Sequence, residues 1–194
     1  RYEVTYAPGS ATFRAERDHL ELEMTVFGAD HAVGGYLADL VVQLATHPDL
    51  QDRLREDPSQ IKKFAIETLR IEPAVPWLTR TAVQETELAG VTIPAGALMV
   101  VATASANRDP DVFPDPEDFD ITRPTLEKGF MTMGQGPHRC PGQPLALIQA
   151  EVLIGQLLDR FTNIALDTSG SDLTPELSYQ FRVPTAVYIT YDHR

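Results

Sequence analysis

Met133-Gly134-Gln135-Gly136-Pro137-His138-Arg139-Cys140-Pro141-Gly142 is the stretch from which the fold of this chain can be read. It holds the single cysteine of a 194-residue sequence. Two glycines permit a tight loop whose backbone N–H groups come close to a bound group. Pro141 stands where the first position of a helix is expected, because the N–H that proline lacks has no helical partner there. The cysteine therefore precedes a helix start, where orphan N–H groups and the helix dipole favour a thiolate. His138 and Arg139 add positive or hydrogen-bonding character, as needed to hold and tune an anionic sulfur ligand.

On the residues alone, other readings compete. A lone cysteine is often a buried, inert, small apolar side chain. Zinc is a poorer reading, because the chain has no second cysteine and its five histidines are scattered. A Cys–His nucleophile pair with His138 is also poor, since a histidine two residues away in a tight loop is badly placed to orient the sulfur. The inert and the ligand readings both stay open at this point.

Working outward, Leu145 to Phe161 is strongly apolar at helical spacing, and Leu177 to Tyr191 alternates like a hairpin. Upstream, Asn107 to Pro137 is rich in proline and aspartate with little periodicity. A loop of about 30 residues inside a domain is unusual and commonly functional. Thr79–Gln84 and Leu98–Val101 read as strands around a turn-rich stretch with Gly90, Pro94 and Gly96. Ser59 is expected to cap a helix running to about Glu72, closed by Pro73. A short helix spans Leu50 to Arg55. Before it, Leu20, Met24, Phe27, His31, Leu37, Leu40, Val41 and Leu44 mark one face of a long helix from about Glu16 to His47-Pro48. Residues 1–15, with Pro8-Gly9-Ser10, read as a linker or the remnant of a preceding part. The class is mainly α with small β-sheets, without the βαβ repeat of a doubly wound fold.

A net charge of −12 opposes binding to nucleic acid or to an anionic membrane surface. One cysteine excludes an internal disulfide, and no apolar run approaches the roughly 20 residues that span a bilayer. The start, Arg1-Tyr2-Glu3-Val4-Thr5, has no initiator methionine and no apolar signal-peptide core, and is read as a chain entered partway. A cytoplasmic location is the expectation.

The glycine–cysteine loop resembles the haem-binding signature of cytochromes P450, Phe-Gly-x-Gly-x-His/Arg-x-Cys-x-Gly followed by Leu-Ala. Gly134, Gly136, His138, Cys140, Gly142, Leu145 and Ala146 match, and Met133 stands at the usual phenylalanine. Glu67-Thr68-Leu69-Arg70 resembles the family's Glu-x-x-Arg on the helix called K. Asn107-Arg108-Asp109-Pro110, Phe113, Asp115-Pro116, Phe119-Asp120 and Arg123 resemble its meander. Arg80 matches a propionate-binding arginine of bacterial members, and Gly90 to Gly96 follows the same bacterial pattern.

The resemblance implies the C-terminal portion of the P450 fold over residues 16–194, from helix I to the terminal β-hairpin. It implies haem b with Cys140 as iron ligand, contacts from Arg80, Met133, Gly134, Gly136, His138, Gly142 and Ala146, and a structural ion-pair triad of Glu67, Arg70 and Arg123. Full members are about twice this length, so the N-terminal half is an implied partner. Helix I departs from the family's Ala-Gly-x-Asp/Glu-Thr. Counting back from His47-Pro48 without a gap puts Ala29 at the glycine, His31 at the acid and Ala32 at the threonine. One inserted residue instead puts Gly28 at the glycine, Asp30 at the acid and His31 at the alcohol, and implies a π-bulge. Neither register supplies the threonine; Asp30 and His31 are the candidates for proton delivery, since histidine titrates near neutrality.

What the family implies is a monooxygenase acting on a small organic molecule with O2, fed by a ferredoxin-type donor and its reductase near Arg139. The missing threonine prompts a second expectation: a P450 of peroxide-using, oxidative-coupling or rearranging type. A third is a non-catalytic scaffold, which need not retain the cysteine. Val75, Pro76, Trp77, Leu78, Phe181 and Arg182 are candidate substrate-pocket residues.

Overall fold

A computed structural model describes the backbone of residues 2–5, 12–15, 17–175 and 181–194, with side chains described for 32–175 and 181–194. In chain order, strands β1 (Tyr2–Thr5) and β2 (Thr12–Ala15) pair with each other, and helix α1 (Arg17–Thr46) follows. Helices α2 (Pro48–Glu56) and α3 (Ile61–Ile71) come next, then strands β3 (Leu78–Thr81), β4 (Thr86–Leu88), β5 (Val91–Ile93) and β6 (Leu98–Val101). One-turn helices α4 (Thr103–Ala106) and α5 (Leu126–Gly129) punctuate the meander before helix α6 (Gln143–Arg160). Strands β7 (Phe161–Leu166), β8 (Asp172–Pro175), β9 (Pro184–Ala186) and β10 (Ile189–His193) end the chain. Helices with small antiparallel ladders are thus the observed class.

The core lies where α1, α3 and α6 meet. Tyr36, Leu40 and Leu44 recur every four residues on α1 and are buried against Phe64 and Leu69 of α3 and Ala150, Ile154 and Leu158 of α6. The Tyr36 hydroxyl donates to the Ala65 carbonyl at 3.1 Å. Burial, reinforced by the negative charge of Glu151, drives its phenol pKa far up, so the group remains a donor. Gln51 ties α2 to β7: its amide nitrogen donates to the Leu44 and Ile164 carbonyls at 3.0 and 2.6 Å, and its oxygen accepts from the Ile164 N–H.

Four local expectations are corrected. Asp57, not Ser59, caps the turn before α3, its carboxylate accepting from the Ser59 N–H and hydroxyl. An aspartate already outside the helix reaches those donors, whereas Ser59 lies within the 3-10 turn Pro58–Gln60. Helix α6 starts at Gln143, with Gly142 before it and Pro144 in the first turn, because residues 140–142 are still used by the loop. Of the expected hairpin Leu177–Tyr191, residues 177–180 lie outside the described residues; among the described ones the two strands do not pair with each other, β10 pairing with β7 and β9 with β8. Alternation marks a strand without naming its partner. Helix α1 is continuous α-helix, so no π-bulge accompanies an inserted residue.

Candidate functional site

Helix α3 presents Glu67 and Arg70, both fully buried, to the meander. Their spacing of three puts them on one face. Arg70 holds Glu67 with two bonds of 2.8 Å, Nε to Oε2 and Nη2 to Oε1. From the other side, Arg123 Nε reaches Glu67 Oε1 at 3.1 Å, and the Asp120 N–H donates to the same oxygen at 2.8 Å. One carboxylate therefore faces two guanidiniums. The excess positive charge is spread over main-chain carbonyls, since the remaining donors go to Asn107, Pro114, Asp115, Pro116 and Asp118. This is how a long loop without regular structure satisfies its backbone, and buried polar groups require partners. Phe113, Ile121, Leu126 and Phe130 anchor it in the core, with Arg70 5.1 Å above the Phe113 ring.

The glycine–cysteine loop leaves this scaffold at Phe130. The Gly134 N–H donates to the Met131 carbonyl at 2.9 Å, and the Cys140 N–H closes the loop on the Met133 carbonyl at 2.8 Å. Gly134 and Gly136 have φ of +70° and +74°, where a side chain is strained. A Cβ on Gly136 would meet no atom within 4 Å, so this edge of the loop is bare. Gly142 lies against the sulfur, its hypothetical Cβ 3.6 Å from Sγ. Met133 is half-buried and packs on the core, and Ala146 is buried, its N–H bonded to the Gly142 carbonyl.

Cys140 is an exposed free cysteine, which removes the buried, inert reading. Among the described residues no hydrogen bond joins it to His138, and no cluster of three or more metal-ligating side chains exists, so the nucleophile-pair and zinc readings also lapse. His138 is exposed, and Arg139 Nε donates to Gln143 Oε1 at 2.8 Å. Beside the loop, Leu145, Ile148 and Val152 form an exposed apolar stripe on α6, each more than half exposed. A lone outward sulfur and a bare glycine edge fit a group that would be held through a single thiolate ligand.

The structure does not bring Arg80 to this loop by any hydrogen bond; its guanidinium, exposed on β3, donates to the Thr79 carbonyl at 2.7 Å. The side chains of Asp30 and His31 lie outside the described residues. Asn107 and Thr132, buried and half-buried, are two further polar side chains that turn inward beside the loop. No periodicity in a proline-rich loop signals which polar residue turns inward.

Among the pocket candidates, Arg182 pairs with Glu72, and its N–H donates to the Ala74 carbonyl. Beside this pair a cavity of about 110 Å³ is lined by Asp39, Glu72, Leu173 and Arg182 among others. Burial, then the Glu72 charge, pushes the Asp39 carboxyl up to about 8, with Arg182 acting the other way. The folded protein thus binds this proton more tightly than the unfolded chain does. Stability contributed at Asp39 falls as pH rises from the ordinary carboxylate range towards 8. Asp39→Asn removes that slope and is more stable than the parent at pH 8. Urea denaturation of both across this range checks it; parallel slopes would refute it.

Comparison with known proteins adds the following. The family model "Cytochrome P450" matches residues 37–188. The 6-deoxyerythronolide B hydroxylase of Saccharopolyspora erythraea is 40% identical over 73% of this chain and 33% of its own length. The monooxygenase PikC of Streptomyces venezuelae is 39% identical over 71% of this chain, again 33% of its own. Substrate-free CYP150A6 of Mycobacterium marinum superposes with a TM-score of 0.82 at 34% identity, over 87% of this chain and 43% of that one. The chain spans about a third of the length of the curated relatives it matches.

Proposed function

The chain belongs to the cytochrome P450 family, and from that premise we propose that the whole protein is a haem-thiolate monooxygenase oxidising a small organic molecule. The observation that carries this is Cys140, exposed at the end of a glycine loop whose root is tied into a buried ion-pair network. Cys140 holds the iron of haem b, and His138 and Arg80 bind its propionates. Gly134, Gly136 and Gly142 let the loop lie close to the ring, with Met133 and Ala146 packed beneath. When bound, the haem supplies the redox chemistry that puts one oxygen atom of O2 into the substrate. The chain's own residues orient the sulfur, through the backbone bond of Cys140 to the Met133 carbonyl and through Met133 packed on the core.

Glu67, Arg70 and Arg123 serve structure, pinning the loop's root. Asp30 or His31 relays protons from helix α1. Val75, Pro76, Trp77, Leu78, Phe181 and Arg182 shape the substrate pocket. A ferredoxin-type donor, itself reduced by its reductase, docks near Arg139. The remaining part of the fold, of the length the relatives have beyond this chain, covers Leu145, Ile148 and Val152, a stripe too apolar to leave in water. Among the described residues no helix is long and apolar enough to cross a membrane, and a cytoplasmic location belongs to the same proposal.

Reduction of the full-length protein under carbon monoxide tests the core claim. A red-shifted Soret band, the mark of thiolate ligation, is expected; its absence overturns the proposal, and a haem-free yet functional protein points to a scaffold. The helix α1 sequence, which supplies a threonine in neither register, supports a second reading as a peroxide-using, coupling or rearranging P450. Strict dependence on a reductase with simple hydroxylation counts against it.

A further inference from the structure

Of the four carbonyls at the C-terminal end of α3, only the first accepts an i+4 backbone N–H, and the other three need donors from elsewhere. Thr68 O accepts from the Glu72 N–H at 2.8 Å and Ile71 O from Arg108 Nη2 at 2.8 Å. The two between them are capped by side chains that lead to the cysteine loop. Thr132 Oγ1 donates to Leu69 O at 2.5 Å, and Asn107 Nδ2 donates to Arg70 O at 3.1 Å.

Asn107 is fully buried, and every polar atom of its side chain is used. Nδ2 donates a second time, to Thr132 Oγ1 at 2.7 Å, while Oδ1 accepts from the Met131 N–H at 2.6 Å. The amide orientation is fixed by its partners, because Arg70 O only accepts and the Met131 N–H only donates. The Asn107 carbonyl in turn accepts from Arg70 Nη1 at 3.0 Å. Arg70 thus grips Asn107 while Asn107 grips the Met131–Thr132 root. From that root the Met131 carbonyl holds the Gly134 N–H, and the Met133 carbonyl holds Cys140.

We propose that Asn107 is a positioning residue for Cys140: it links the Glu67–Arg70–Arg123 triad to the base of the sulfur loop and so fixes where the thiolate stands. The inference rests on the haem-thiolate reading. Only asparagine suits the site. Aspartate keeps the acceptor for Met131 but sets a carboxylate oxygen against the Arg70 carbonyl, and alanine leaves Arg70 O, the Met131 N–H and a lone pair of Thr132 without their partner.

The test uses full-length holoenzyme and its reduced carbon monoxide spectrum, in which loss of the thiolate moves the Soret band to the blue. Asn107→Ala is expected to raise the blue-shifted fraction about tenfold. Asn107→Asp and Thr132→Val raise it less, and Thr132→Ser, which keeps the hydroxyl, restores the parent spectrum. Gln51→Ala is the control: it removes an equally buried amide from the α2–β7 junction and is expected to lower stability without moving the band. A parent-like spectrum in Asn107→Ala, or an equal shift in Gln51→Ala, overturns the proposal. If Asn107→Ala does not accumulate, Thr132→Val decides, an unchanged band refuting the link. A parent protein without the red-shifted band instead sinks the haem-thiolate reading itself.

Discussion

Glu67→Gln is expected to cost about 3–5 kcal/mol, enough to leave most of the protein unfolded or without haem. The parent carboxylate, fully buried, accepts from Arg70, Arg123 and the Asp120 N–H. Glutamine has nearly the same shape, so no cavity opens. The change instead leaves two buried guanidiniums with no anion between them, and turns an NH2 group towards donors. That is the costly way to break a buried ion pair, since the uncompensated charges stay behind. Glu67→Asp keeps the charge and loses the two-point grip, and should fall between. The exposed pair Lys62–Glu127 gives the scale for comparison: at 3.4 Å and about half exposed, its removal should change stability by less than about 1 kcal/mol. Urea midpoints and haem content check the series. A Glu67→Gln protein within about 1 kcal/mol of the parent would contradict this account of the meander.

Cys140→Ser is expected to have the opposite profile. Its backbone still donates to the Met133 carbonyl and still closes the turn to Gln143, so stability should stay within about 0.5 kcal/mol of the parent. The red-shifted Soret band of the reduced carbon monoxide complex should vanish completely, because an alcohol does not supply the thiolate's electron density. Folding and ligation are thereby separated: one variant removes the scaffold and loses the site with it, the other keeps the scaffold and loses the chemistry. A serine variant that retains the band would assign the iron to another ligand.

Much of the architecture was legible in the sequence where the physics is local. The helix ends at His47-Pro48 and Glu72-Pro73 follow from proline's steric demands, and the structure places α1 and α3 to within about a residue of them. Leu40 and Leu44 follow from helical periodicity and lie in the core, whereas Tyr36, buried beside them, stands off the expected face, on which Leu37 is only partly buried. The tail was harder: its alternation announced strands, yet β10 finds its partner in β7 across an intervening ladder. At the α6 start, two prolines flank Gly142 and either suits a first turn, so composition could not choose between them.

The same division runs through the site. The glycine spacing, the lone cysteine and the Glu-x-x-Arg pair are short-range patterns, and the sequence by itself determined the family, the sulfur loop and the helix that carries Glu67 and Arg70. The contact of Arg123 with Glu67, 56 residues away, was expected only through the family resemblance; the tertiary structure alone decided that Asn107 and Thr132 cap α3, and that Leu145 and Ile148 stand exposed. The reason is physical. Periodicity and turn chemistry report each residue's own backbone and face. Which distant carbonyl a buried amide must satisfy is settled only when folding removes water and leaves each polar group one partner within reach.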